Sequence, residues 1–214
     1  MASGFPGSID NFTDPLSNSS LSSPSHSGLH SDVNDAIEKI ETYMGLVKVI
    51  PTGATNGTIS ADGDVTVGNA VSSVTVSGAF SALYDSYRIV VQGGTASTNA
   101  GYLTLQLGAT AANYRYDFIS ANLAGATPTS SGSVGAANFP TVGFKSSSLM
   151  ASIEVVGPFA SAMTMVSCPA GQTGNNMGWM TGVQIDATSF TAFTLAASTG
   201  TITGGTIRVY GYRN

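Results

Sequence analysis

The spacing of apolar residues divides the chain into three parts. Residues 1–30 show neither a helical nor a strand period. Residues 31–45 repeat apolar side chains every three or four positions, and residues 46–214 largely alternate apolar and polar side chains. A period near 3.6 indicates an amphipathic helix, and a period of two indicates strands with one buried face. The pattern therefore predicts an irregular arm, one short helix and a β-rich body.

The body is a series of short alternating runs separated by turn residues. One example is SYRIVVQ, which places Tyr87, Ile89 and Val91 on one face. We count roughly nine or ten such runs, and this spacing is typical of sandwiches and barrels rather than of strands alternating with helices. The sequence therefore predicts an all-β fold, a jelly-roll-like antiparallel β-sandwich.

The turn signals also predict how the body is divided. Residues 46–71 contain the turns ATNG, ADGD and VGN, which predict a connecting hairpin between the helix and a sandwich domain at 72–214. Within the body, residues 121–141, ANLAGATPTSSGSVGAANFPT, are the longest stretch without alternation. We expect this stretch to be an exposed, mobile loop.

The helix is predicted at residues 31–45, between a capping residue, Ser31 or Asp32, and a terminal Gly45. Its apolar residues recur at the spacing of a heptad seam: Val33, Ile37, Ile40 and Met44. Isoleucine at both seam positions favours trimers or tetramers, so we expect the helix to set a homotrimer. The same stripe fits an amphipathic helix lying on its own sandwich, and the pattern does not separate the two.

The arm at residues 1–30 holds nine serines and three prolines. Alone it could not bury enough apolar surface to offset the entropy of ordering. Five large apolar residues nevertheless recur along it: Phe5, Ile9, Phe12, Leu16 and Leu21. We expect an extended arm whose apolar side chains dock into a partner. The alternative is a flexible leader whose apolar residues lie against its own body.

Charge and the length of apolar runs each argue against one class of partner. The net charge of −5 resides in residues 1–45, because residues 46–214 carry six acids and six bases. A body without a basic patch is not expected to bind nucleic acid. No run approaches the ~18 apolar residues of a membrane helix, so no membrane insertion is expected. The opening MASGFPGSID also lacks the features of a signal peptide.

Candidate catalytic residues are few. The two histidines, His26 and His30, precede the helix, and the single cysteine, Cys168, lies in the apolar run AMTMVSCPA. We expect Cys168 to be a buried small hydrophobe. There is no G-x-S-x-G elbow and no phosphate loop. The residues therefore predict no enzyme, no cofactor and no metal site. A glycosidase-like carboxylate pair among the body's acids is the enzymatic alternative.

One stretch of the body suggests recognition. Trp179, the only tryptophan, lies in GQTGNNMGWM beside the amides of Asn175 and Asn176. An aromatic face next to amides can bind a neutral polar ligand such as a glycan. The alternative is that Trp179 is a strand residue within the core.

Two N-terminal stretches, GFPGSIDNFTDP and SHSGLHSDVNDAIEKIETYMG, resemble the N-terminal region of tail-fibre and minor tail proteins of tailed bacteriophages. In the body, FSALYDSYRIVV, LTLQLGATAANYRY and GGTIRVYGYR are similar to β-sandwich modules of phage appendage proteins. The resemblance implies a homotrimeric virion appendage, made in the bacterial cytoplasm.

In such an appendage the arm would hold another virion protein of the tail, baseplate or capsid. The sandwich would be displayed for binding to a host-surface glycan or protein receptor. A structural virion role, as a capsid decoration, cement or baseplate component, is the alternative.

Overall fold

A computed structural model describes Val33, Asn34, Ile37 and residues 45–99, 101–122, 125, 127–145, 147–172 and 176–212. Within it, Leu46–Tyr212 form one compact unit. Val33 and Ile37 are helical in conformation and their side chains are exposed. The other two seam residues, Ile40 and Met44, and the five apolar arm residues lie outside the described residues, as does Asn175. The predicted arm and helix therefore stay predictions.

The body consists of strands. The first nine are β1 (Leu46–Val49), β2 (Gly53–Thr55), β3 (Gly57–Ile59), β4 (Val65–Val67), β5 (Ser73–Ser77), β6 (Ser86–Gly93), β7 (Thr95–Ala96), β8 (Leu103–Leu107) and β9 (Tyr114–Asn122). The remaining strands are β10 (Pro128–Ala136), β11 (Phe144–Lys145), β12 (Leu149–Val156), β13 (Thr164–Gln172), β14 (Asn176–Gln184), β15 (Ala192–Ala197), β16 (Ile202–Thr203) and β17 (Thr206–Tyr212).

These strands form two main sheets and one small ribbon. The larger sheet has 11 strands in the order β10-β9-β14-β13-β11-β12-β6-β17-β4-β3, with β1 also paired to β17. The smaller sheet has the order β2-β5-β15-β8, and β16 pairs with β7. Every pairing is antiparallel except the short parallel contact of β11 with β13. The prediction of an antiparallel all-β fold is confirmed.

One hydrophobic core is built from both sheets. Val74 and Phe193 come from the smaller sheet, and Tyr87, Ile89 and Ile153 come from the larger one; all five are fully buried. The alternation in SYRIVVQ therefore marks the core-facing side, as predicted. Two sheets that each bury one face against the other form a β-sandwich-like arrangement.

The predicted hairpin exists but does not connect two separate parts. β3 and β4 pair with each other, as the turn signals indicate. However, β4 and β1 also pair with β17, and β2 pairs with β5. Residues 46–71 thus supply strands to both sheets, and the predicted boundary at residue 72 falls inside one compact unit. The sequence could not predict this arrangement, because pairing between strands about 140 residues apart in the chain leaves no local signal.

The loop predicted at 121–141 is largely a strand. β10 pairs with β9 along its whole length, with a bulge between Val134 and Ala136. Its residues are mostly exposed on both faces, so the strand needs no apolar alternation. Backbone pairing to β9 holds it instead, and a Ser/Gly-rich strand of this kind has no periodic signal.

Candidate functional site

The side of the larger sheet that faces away from the core is called here the open face. Its residues alternate with core residues along each strand, as in β12, where Ile153 and Val155 are buried and Glu154 and Val156 are not. β9, β14, β13, β6 and β17 follow the same alternation. Side chains from these strands therefore share one surface.

A row of polar residues crosses the open face at right angles to the strands. Each member is the register partner of the next, so neighbouring side chains are only one strand apart. The row is Asp117, Thr181, Ser167, Glu154, Arg88 and Tyr210. It offers two hydroxyls between two carboxylates, which suits hydrogen bonding to an extended polar ligand.

Apolar residues flank this polar row on both sides. On one side Ile119 and Trp179 are register partners, and on the other Met165 and Val183 are. The exposed fraction is 57% for Ile119, 53% for Trp179 and 45% for Met165. Met177, next to Trp179 on the same face of β14, is exposed as well. Exposed apolar side chains grouped around polar ones on one sheet face are typical of interaction surfaces.

Trp179 is held on the open face by a hydrogen bond. Its indole Nε1 donates to the Ser167 Oγ of the neighbouring strand at 2.7 Å. The register partner of Ser167 is Thr181, which lies two residues after Trp179 on β14. The indole ring is therefore directed diagonally towards the polar row. The bond restricts the ring, while more than half of the side chain stays exposed. An oriented, exposed indole can stack on a ligand.

The interpretation of Trp179 as a core residue is wrong. Along β14 the core-facing residue is Met180, which is fully buried and pairs with Phe118. Trp179 points to the opposite side. Asn176 begins the same strand, three residues from Trp179, and alternation places it on the other face of β14. The structure therefore does not bring Asn176 and the indole together on one surface.

A charged cluster occupies the β6–β12–β17 end of the open face. Arg88 Nε donates to Glu154 Oε1, and the Tyr212 hydroxyl donates to Glu154 Oε2 at 2.6 Å. The Arg88 guanidinium also lies 5.8 Å from the centre of the Tyr212 ring. The hydrogen bond to Glu154 raises the pKa of Arg88, although partial burial opposes it. Glu154 is thus fixed by two donors at the end of the hydroxyl row.

A second cluster joins the N-terminal strands to β17. Lys48 forms ion pairs with Asp62 and Asp64, and Arg208 Nη2 lies 3.0 Å from Asp64 Oδ2. The Ser60 hydroxyl and then Lys48 lower the pKa of Asp62 to about 2. The predicted turn at Asp62 and Asp64 is present, with Gly63 at a positive φ of 85°. The ion-pair partners of these carboxylates are therefore Lys48 and Arg208.

Two buried groups do not contribute to the open face. Cys168 is fully buried, as predicted, and burial raises the pKa of its thiol to about 12. Lys145 is also fully buried, which no sequence pattern indicated. Its Nζ donates to the carbonyls of Thr98 at 2.9 Å and Thr199 at 3.0 Å. These bonds join two loops at one end of the sandwich.

Within the described ranges, no group of three or more His, Cys, Asp or Glu side chains is arranged to hold a metal ion. In the same ranges, no helix has the length and apolar character needed to cross a membrane.

Sequence reasoning found Trp179 but missed the polar row. Ser167, Thr181 and Glu154 lie on three strands, and only the registers of β12, β13 and β14 make them neighbours. The alternation of apolar and polar residues along each strand predicts that each of the three side chains faces solvent. It does not predict that they are neighbours. Comparison with known proteins adds no further assignment: no protein-family model, curated protein sequence or solved structure matches the chain.

Proposed function

We propose that this protein is a bacteriophage virion appendage of the tail-fibre kind, a non-enzymatic binding protein without a cofactor. In this proposal the arm at 1–30 attaches to another virion protein, the helix at 31–45 joins three copies, and a jelly-roll-like sandwich is displayed for binding to the host surface. The proposal rests on the resemblance of the N-terminal stretches and of three body stretches to such proteins.

The observation that carries the binding role is the exposed, oriented indole of Trp179 beside the polar row. A sugar ring presents an apolar face that can stack on an indole and hydroxyls that can bond to side chains. Thr181 and Asp117 supply such partners next to Trp179, and Ser167 fixes the ring. A host-surface glycan is therefore the ligand class that best suits this part of the open face. Several copies in one appendage would add avidity to weak single contacts.

The trimer is tested at the helix seam. Ile37→Asp combined with Ile40→Asp places two charges on the proposed seam, and we expect the trimer to be lost because buried, unpaired carboxylates are costly. Light scattering on the full chain measures the mass, and Ser31→Asp, outside the seam, is the control for added charge. A double variant that keeps the wild-type mass would mean that the helix does not drive assembly.

A structural virion role is the second candidate, and the methionines on the open face favour it. Met150, Met165 and Met177 are each about half exposed. Exposed methionine together with tryptophan is typical of surfaces that another protein covers. Immunogold labelling of particles with an antibody to the body distinguishes the two roles. Label at tail ends supports the fibre, and uniform label on heads supports a decoration protein.

A further inference from the structure

The edge strand β10 leaves one side of the larger sheet open. In the described part of the chain, β10 pairs only with β9, and its other side carries no ladder. The strand is nine residues long and mostly exposed. The backbone N–H and C=O groups on that side have no protein partner from a strand, which makes the edge a template for another strand.

The other sheet edges are short or closed. β3 and β2, at the ends of their sheets, are three residues each, and β1, which pairs with β17 alone among the described strands, is four. The outer side of β8 is covered, because Leu105 and Phe139 exchange two backbone hydrogen bonds of 2.9 Å. By contrast, the features of β10 that hinder pairing with another strand lie only at its ends. They are Pro128 and the bulge at Gly135. Residues 129–134 remain accessible and contain no charged side chain.

We propose that residues 129–134 of β10 pair antiparallel with the same strand of a second copy of this chain. A two-fold axis perpendicular to the sheet would place identical, mutually compatible strands side by side. The side chains of this segment are Thr, Ser, Gly and Val, so no register sets like charges opposite each other. Val134, 82% exposed, would lose water-accessible apolar surface in the contact.

Net charge does not oppose a second copy as the occupant. Residues 46–214 carry six acids and six bases, so two bodies do not repel each other through net charge. The N-terminal arm suits this edge less well. Its apolar residues, which include Phe5, Ile9 and Phe12, do not alternate with the period of two that strand addition requires.

The contact would also arrange the binding sites. Antiparallel pairing keeps both open faces on the same side of one continuous sheet, with the two Trp179 residues about five interstrand spacings apart, on the order of 24 Å. This spacing would let two sites engage one surface, a consequence that rests on the proposed function, although the contact itself does not.

Single-cysteine cross-linking in the full chain tests the contact. Ser130→Cys, Ser131→Cys and Ser133→Cys each place one thiol on β10, and Thr58→Cys places one on β3 at the opposite edge as a control. The buried Cys168 does not compete for the reagent. With a short bifunctional thiol reagent at low micromolar protein, we expect covalent dimers from at least one β10 variant and none from Thr58→Cys.

A second change checks that the dimer uses the edge. Adding Val134→Lys to the reactive variant places an ammonium group at the end of each paired segment, where the second copy would remove water from it, and we expect cross-linking to fall at least tenfold. Thr58→Lys in the same background is the matched control and should leave cross-linking unchanged. Folded variants, verified by unchanged near-UV circular dichroism, that give no dimers at any of the three positions would overturn the proposal. Equal dimer yields from the Thr58→Cys control would overturn it too. Neither readout uses a glycan or a cell, so a failure here is distinct from a failure of receptor binding.

Discussion

The Trp179 indole donates a 2.7 Å hydrogen bond to Ser167 Oγ on the neighbouring strand. Ser167→Ala removes this acceptor, and because the site is exposed we expect stability to fall by no more than about 1 kcal/mol. The ring should become more mobile and any ligand that stacks on it should bind more weakly. Trp179 is the single tryptophan, so fluorescence anisotropy of the intact protein reports its motion directly. Ser152→Ala, on the open face of β12, is the control and should leave the anisotropy unchanged.

Close packing between β14 and β9 holds the strand that carries Trp179. A Cβ at Gly178 would collide with the Ile119 carbonyl oxygen, so a side chain there must push the two strands apart. We expect Gly178→Ala to destabilise the protein by about 1–3 kcal/mol, the usual cost of overpacking. At Gly53 the added carbon meets only Ser77 Cβ at 3.7 Å, and Gly53→Ala should change stability far less. Chemical denaturation of the two variants measures the difference, and equal midpoints would contradict the packing argument.

Lys145 predicts a pH dependence of stability. Burial lowers the pKa of its ammonium below the usual 10.5. The unfolded chain therefore binds more protons than the folded chain between the two pKa values, and stability rises with pH in that window. We expect the stability of the wild type relative to Lys145→Met to increase as the pH approaches 10.5, by at most about 1.4 kcal/mol per pH unit.

Denaturant unfolding of both proteins between pH 8 and 10.5 measures this difference, and groups common to both cancel. Tyr114, whose pKa burial raises to about 12, is one such group. A difference between the two proteins that stays flat over this range would contradict the account of Lys145 as a buried charge.

The carboxyl group of Asp62 should titrate unusually low. The hydroxyl of Ser60 is the first cause of its pKa of about 2, and Lys48 is the second. Because the folded pKa lies below the unfolded value, the associated stabilisation is present above about pH 4 and is lost as the pH falls through about 2. Carbon-detected NMR of the side chain gives the midpoint. We expect Ser60→Ala to move it towards 3.8, whereas Ser72→Ala, remote from Asp62, should not.

The amount of this fold that the sequence could predict depended on whether the signal was local. Alternation identified the core face of β6 through Tyr87 and Ile89, since each strand there has one buried face. It could not decide the side of Trp179, because the neighbouring residue Met180 is also apolar and only one of the two can face the core. The alternation of exposure along β14 resolves that choice.

Features that depend on residues far apart in the chain could not be predicted from local sequence patterns. Pairing of β1 with β17 joins residues more than 150 positions apart, and nothing in the sequence of Leu46–Val49 encodes that partner. β10 carries no apolar alternation because backbone bonds to β9 hold it in place of burial. Lys145 is buried through two loop carbonyls, an arrangement that only the folded loops create.

We propose that the open face around Trp179 binds the host surface. The most direct measurement is the binding of labelled full-length protein to a panel of bacterial cells, comparing wild type, Trp179→Ala and Leu83→Ala. Leu83 is 76% exposed and lies outside the larger sheet, so its variant controls for the loss of an exposed apolar side chain. We predict saturable binding to a susceptible strain by wild type and Leu83→Ala, and at least a tenfold weaker affinity for Trp179→Ala. Wild-type affinity in Trp179→Ala, or no saturable binding by the wild type to any strain its phage infects, would contradict the claim.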